Sequence, residues 1–266
     1  MISAGEVAKL AHAVGVSQRV IEKDYVLSWM LIAIAESDLR SALAFKGGTA
    51  LKKVYFPDYR FSEDLDFTLL DDLPHDELVK AFAPLFPSLK DHVNLALSLR
   101  TAEESAFRST SLEVYYVGPL QAGIGSRFLK LDFTRGELLL ERPVEGVLRA
   151  GFTDYPEGVA LPTYTLREIL AEKLYALIGR TEPRDLYDVY ELFECGDVDQ
   201  ACLWDNFAAK CEQKGRDPTL LQQALDDKAA RLEKQWQTRL GQQVTDLPDF
   251  NEVMRTVQRH VRNLPP

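Results

Sequence analysis

Lys46-Gly47-Gly48-Thr49-Ala50-Leu51-Lys52-Lys53, followed shortly by Arg60-Phe61-Ser62-Glu63-Asp64-Leu65-Asp66-Phe67-Thr68, joins a glycine turn to two alternating carboxylates. Side chains alternate along a strand, so Asp64 and Asp66 project to one face while Leu65, Phe67 and Leu69 project to the other. Two like charges side by side are costly unless a cation lies between them. Glycine tolerates positive φ and carries no Cβ, so the backbone N–H groups of Gly47, Gly48 and Thr49 can approach a phosphate closely. The stretch describes a site for a metal-bound nucleotide. The competing reading makes the two aspartates solvated residues of an edge strand, although aspartate is disfavoured in strands and the opposite face is firmly apolar.

Outward from this segment, the pattern divides in two. Apolar residues recur at helical intervals from 6 to 35, broken at Gly15-Val16-Ser17, which predicts two helices with Ser17 as a cap. A strand is expected over 61–70 and a helix over 76–86, ending near Pro87. Alternation at Leu95, Leu97 and Leu99, β-formers over 112–117 and alternation over 128–134 predict further strands, with a glycine-rich loop over 118–126. Beyond Pro162 strand-like alternation gives way to helical periodicity. The expected fold class is α+β: a mixed sheet with flanking helices over 1–162, then a helical domain over 163–266.

Composition sets limits. The 266 residues are 46% hydrophobic, enough for a substantial core. No apolar run is long enough to span a bilayer and the N-terminus lacks a secretory h-region, so a cytoplasmic protein with no membrane partner is expected. Cys195, Cys202 and Cys211 match no redox or zinc spacing and read as free thiols, and the four histidines are scattered. A net charge of −10 confines any nucleic-acid contact to local cations. The candidates are Lys52, Lys53, Arg60, Arg127, Lys130 and Arg135, each equally readable as solvated surface.

Three more residues bear on chemistry. Lys130, Asp132 and Thr134 share one strand face, so Asp132 either completes a carboxylate triad for one or two metal ions or faces solvent. Lys173 falls within the apolar stripe formed by Leu166, Ile169, Leu170, Leu174 and Leu177; it either snorkels outward or meets a carboxylate or phosphate. Asp185 follows Pro183-Arg184 at a helix start, where an acidic side chain also suits the helix dipole.

These residues resemble the AbiEii/AbiGii toxin family of nucleotidyltransferases, within the DNA polymerase beta-like superfamily. Four stretches carry the likeness: Ile21-Glu22-Lys23-Asp24-Tyr25, the Lys46-to-Phe67 block, Glu172-Lys173-Leu174-Tyr175-Ala176-Leu177, and Arg184-Asp185-Leu186-Tyr187-Asp188-Val189. The resemblance implies a minimal nucleotidyltransferase sheet with a helical second half, an NTP substrate and Mg²⁺. It assigns the triphosphate to Gly47, Gly48 and Thr49, metal to Asp64 and Asp66, a phosphate contact to Lys173, and the last active-site motif to Asp185. Asp132 rests on strand alternation rather than on the family motif. The expected function is a toxin of a toxin–antitoxin or phage-defence system that transfers a nucleoside monophosphate to RNA at a tRNA 3′ end. Lys173 and Asp185 are expected to reach the cleft from the helical domain, and the antitoxin to be a separate chain. Nucleotidylation of a protein, and a non-catalytic nucleotide-binding regulator, are the alternatives.

Overall fold

The computed structural model describes residues 1–106 and 109–264, which divide into two compact units. The first takes in Met1–Glu137 and Pro143–Tyr164. It opens with helices α1 (Ala4–Val14) and α2 (Gln18–Ala35). Ser3 caps α1 by accepting from the Glu6 N–H, and Gly15, at φ 70°, ends it in the left-handed conformation that glycine adopts without a Cβ penalty. Ser17 stands at the N-cap of α2 without a capping side-chain bond. Most of α2 is buried, including Glu22, Asp24 and Ser28.

The chain then forms β1 (Leu43–Lys46), a short helix α3 (Gly47–Ala50) continued by a π-turn over Leu51–Tyr55, and β2 (Asp64–Leu69). Helices α4 (His75–Phe82) and α5 (Leu85–Val93) follow, then β3 (Ala96–Glu104), β4 (Thr110–Val117), β5 (Phe128–Thr134), β6 (Val144–Val147) and β7 (Ala160–Thr163). The seven strands form one mixed sheet in the order β3-β4-β5-β2-β1-β7-β6. Strand β2 lies antiparallel to β1 and parallel to β5. It is therefore central, and the edge-strand reading of Asp64 and Asp66 fails. Leu65, Phe67, Leu131 and Phe133 are fully buried beneath these strands, with the rings of Phe67 and Phe133 stacked at 5.4 Å. One face of the sheet is thus fixed as core and the other left for charge.

Two expectations change in detail. The helix foreseen over 76–86 stops at Phe82, and Pro87 lies in the first turn of a second helix, where its missing N–H costs nothing. The strand foreseen from 61 begins only at Asp64, since the Arg60 side chain donates to the Phe61 carbonyl in an irregular approach.

The second unit comprises Leu138–Arg142 and the helical remainder from Thr165: α6 (Leu166–Gly179), α7 (Pro183–Glu194), α8 (Leu203–Gln213), α9 (Leu221–Leu240) and α10 (Phe250–Asn263). Thr165 caps α6 through the Glu168 N–H. The buried Lys210 ammonium lies 2.5 Å from Glu168 and donates to the Leu138 carbonyl, tying 138–142 to the helices. Cys195, Cys202 and Cys211 are free thiols. Among the described residues no helix is long and apolar enough to cross a membrane.

Candidate active site

In the first unit β1 delivers the chain into the glycine turn. Gly47 adopts φ +76°, a conformation costly for any residue with a Cβ. A Cβ built on Gly47 falls 2.5 Å from Asp66 Oδ2 and 3.2 Å from Asp66 Cβ. The Asp66 carboxylate thus occupies the space that glycine leaves open, a placement set by the pairing of Lys46 with Asp66 across β1 and β2. Gly48 makes room in the same way for the Arg60 guanidinium, which is 4% exposed. Thr49 Oγ1 donates to the Asp64 carbonyl at 2.5 Å. Each of the three turn residues is matched to a residue between 60 and 66, so the two halves of the opening motif form one local structure.

Strand β5 brings further charge. Its parallel register sets Asp132 beside Asp66 and Lys130 beside Asp64. Lys130 Nζ lies 2.6 Å from Asp132 Oδ2. Burial alone would lower the Lys130 pKa, but the bond to Asp132 and the charges of Asp132, Asp64 and Asp66 outweigh it and raise it. The carboxylates of Asp132, Asp64 and Asp66 thus favour the charged form of the Lys130 ammonium. Among the described residues no three His, Cys, Asp or Glu side chains converge as a ready metal cage. The donor set fits Mg²⁺ in its usual form, held by one or two carboxylates with substrate phosphates completing the shell. Asp64 and Asp66 supply two such carboxylates from one strand beside the turn, and Asp132, one strand over, pairs with Lys130.

The remaining candidate cations are engaged within the fold. Lys52 donates to the Pro57 and Tyr59 carbonyls, and Lys53 pairs with buried Asp24 at 2.8 Å. Arg127 pairs with buried Glu22, and Arg135 lies 3.5 Å from Asp72. Lys46 lies 3.7 Å from the buried carboxylate of Glu137, a residue the sequence does not single out because it sits in a loop remote in the chain.

In the second unit, Asp185 and Asp188 are three residues apart on α7 and face Lys173 on α6. Lys173 Nζ lies 2.9 Å from Asp185 Oδ1 and 2.7 Å from Asp188 Oδ2. Arg180 adds Nε and Nη2 bonds of 2.6 and 2.9 Å to the two Asp185 oxygens. Of the readings open for Lys173, the structure shows a carboxylate partner. Burial would raise the Asp185 pKa, but Lys173 and Arg180 overcome it and hold the carboxyl below its ordinary value. The sequence does not single out Arg180, although its place at the end of α6, five residues before Asp185, is a usable signal.

Comparison with solved structures finds the same fold. The nucleotidyltransferase toxin MenT4 from Mycobacterium tuberculosis H37Rv matches with a TM-score of 0.67 at 17% identity, covering 100% of this chain and 91% of its own. JHP933 from Helicobacter pylori matches with a TM-score of 0.54 at 17% identity, covering 94% and 93%. Comparison with curated proteins finds no match. The sequence from residue 29 to 258 matches the family model described as nucleotidyl transferase AbiEii toxin, type IV TA system. With a glycine turn seated against a carboxylate strand and a match over most of its length, the chain belongs to the AbiEii family of nucleotidyltransferase toxins.

Proposed function

We propose that this nucleotidyltransferase acts in the cytoplasm with Mg²⁺, transferring a nucleoside monophosphate from an NTP to a hydroxyl of RNA at a tRNA 3′ end. The observation that supports it most is the seating of Asp66 against Gly47, which sets a carboxylate beside a backbone turn able to take a triphosphate. In the reaction the acceptor oxygen bonds to the α-phosphorus, the bond to pyrophosphate breaks, and the acceptor's proton passes to a carboxylate of the open face. No covalent enzyme intermediate is needed; positioning and charge neutralisation supply the rate.

Gly47, Gly48 and Thr49 hold the triphosphate through backbone N–H groups, and Arg60, packed on Gly48, adds positive charge there. Asp64 and Asp66 hold the metal, with Asp132 as the neighbouring carboxylate. When bound, Mg²⁺ would neutralise charge developing on the leaving pyrophosphate. In the second unit Lys173 is held by Asp185 and Asp188, a cluster that fixes α6 against α7. The toxin family implies a separately encoded antitoxin.

The test is incubation with each α-labelled NTP and total RNA, with Mg²⁺ or with chelator. Label in tRNA, abolished by chelator, is expected; label confined to polypeptide would overturn the RNA reading. The net charge of −10 makes transfer to a protein hydroxyl the second reading.

A further inference from the structure

We propose that the open sheet face beyond the carboxylates is a stacking platform for unpaired bases of the RNA acceptor, built from Phe128, Tyr115 and Arg100. The inference rests on RNA as the acceptor and adds how its end is held. Register places the platform on the reacting face: Asp66 pairs with Asp132 and then Ser111, Asp64 with Lys130 and then Glu113, and the next open pair is Phe128 with Tyr115. The residues between them, Leu129, Leu131, Leu112 and Val114, are fully buried on the opposite face. From Phe128 to Asp132 is four strand residues, about 13 Å at ~3.3 Å each.

Arg100 shows that the arrangement is built rather than left over. The β3–β4 register shifts between Leu99 and Thr101, so Arg100 is the extra residue of a bulge. Bulges re-aim side chains near functional sites, and this one lays the guanidinium 4.7 Å from the Phe128 ring centre and 5.4 Å from that of Tyr115. Glu113 fixes it from the side at 2.9 Å. Phe128 is 38% exposed, unusual for a phenylalanine whose strand neighbours are core. The loop between β4 and β5 stands at the same end, with Ile124 85% exposed.

The chemistry favours a nucleic acid. Planar bases stack on aromatic rings and guanidinium planes, which is how sheet faces take single-stranded RNA. Glu113 pairs with Arg100 and Asp132 with Lys130, so recognition along this row comes from stacking on Phe128, Tyr115 and the Arg100 plane rather than from unpaired positive charge. A peptide gains little here, because β4 and β5 are paired on both sides and offer no free backbone for strand addition.

The test measures anisotropy of a labelled single-stranded RNA decamer, alongside KM and kcat for label transfer to tRNA. Phe128→Ala is expected to weaken decamer binding about tenfold and to raise KM for tRNA with little change in kcat or in KM for NTP. Phe128→Trp is expected to retain binding, and Arg100→Ala to lose part of it. Decamer affinity and KM equal to wild type in both alanine variants would overturn the platform. A wild-type protein that labels no RNA would instead overturn the acceptor reading, so the two failures are distinguishable.

Discussion

Gly47→Ala probes the coupling between the glycine turn and the carboxylate strand. Two costs follow from the structure. The substituted residue must hold φ +76°, which costs about 1–2 kcal/mol for a residue with a Cβ. For a protein of this size that lowers Tm by roughly 2–4 °C. The new methyl also meets Asp66 Oδ2 at 2.5 Å, where ordinary contact begins at 3.4 Å, so the carboxylate must retreat by nearly an ångström. Displacement of that order costs about a hundredfold in rate. Gly15→Ala supplies the control, since Gly15 has φ +70° with nothing within 4 Å. Gly47→Ala should lose at least as much stability as Gly15→Ala by scanning calorimetry, but only Gly47→Ala should lose transfer of α-labelled nucleotide. Transfer at the wild-type rate by Gly47→Ala, with the strain visible in Tm, would refute the claim that Asp66 needs that space.

Lys173→Met leaves Asp185 and Asp188, 1% and 0% exposed, without their shared ammonium, and should cost about 3–5 kcal/mol by urea unfolding. Lys53→Met should cost a similar amount by stranding Asp24, while a double variant Asp24→Asn, Lys53→Met should recover part of it. Asp185 carries a pH signature. Its folded pKa lies below the unfolded value of 3.8, so its stabilisation is complete above that value and is lost as pH falls through the folded pKa. Unfolding free energy measured from pH 6 to 2 should therefore fall less steeply below about pH 4 in Asp185→Asn than in wild type.

The legible parts of the fold are those with local chemistry. Glycine at 47 and 48, alternation from Asp64 to Leu69 and from Phe128 to Thr134, and the break at Gly15 all act over a few residues. Three strands left no such trace. All four residues of β1 are buried, so it shows no alternation. Strand β6 contains Gly146 and β7 contains Pro162, both breakers in a sequence reading. Ion pairs fixed by tertiary structure were hidden for a different reason: Glu137 reaches Lys46 across ninety residues of chain, and no spacing rule connects them. Lys173 shows the opposite case, since a lone lysine in an apolar stripe must either snorkel outward or meet an anion, and α7 supplies two carboxylates. The bulge at Arg100 is likewise visible only once β3 is paired with β4.

If the β2 carboxylates beside the glycine turn carry nucleotidyl transfer, Asp66→Asn should abolish it, because the substitution removes charge while keeping shape. The measurement is the rate of label transfer from α-labelled NTP to total RNA, with Tm confirming that the variant folds. A loss of about a thousandfold or more is predicted, in keeping with removal of a principal charge-stabilising group. Transfer within a few-fold of wild type by a folded Asp66→Asn protein would show that the Asp66 carboxylate does not carry the reaction.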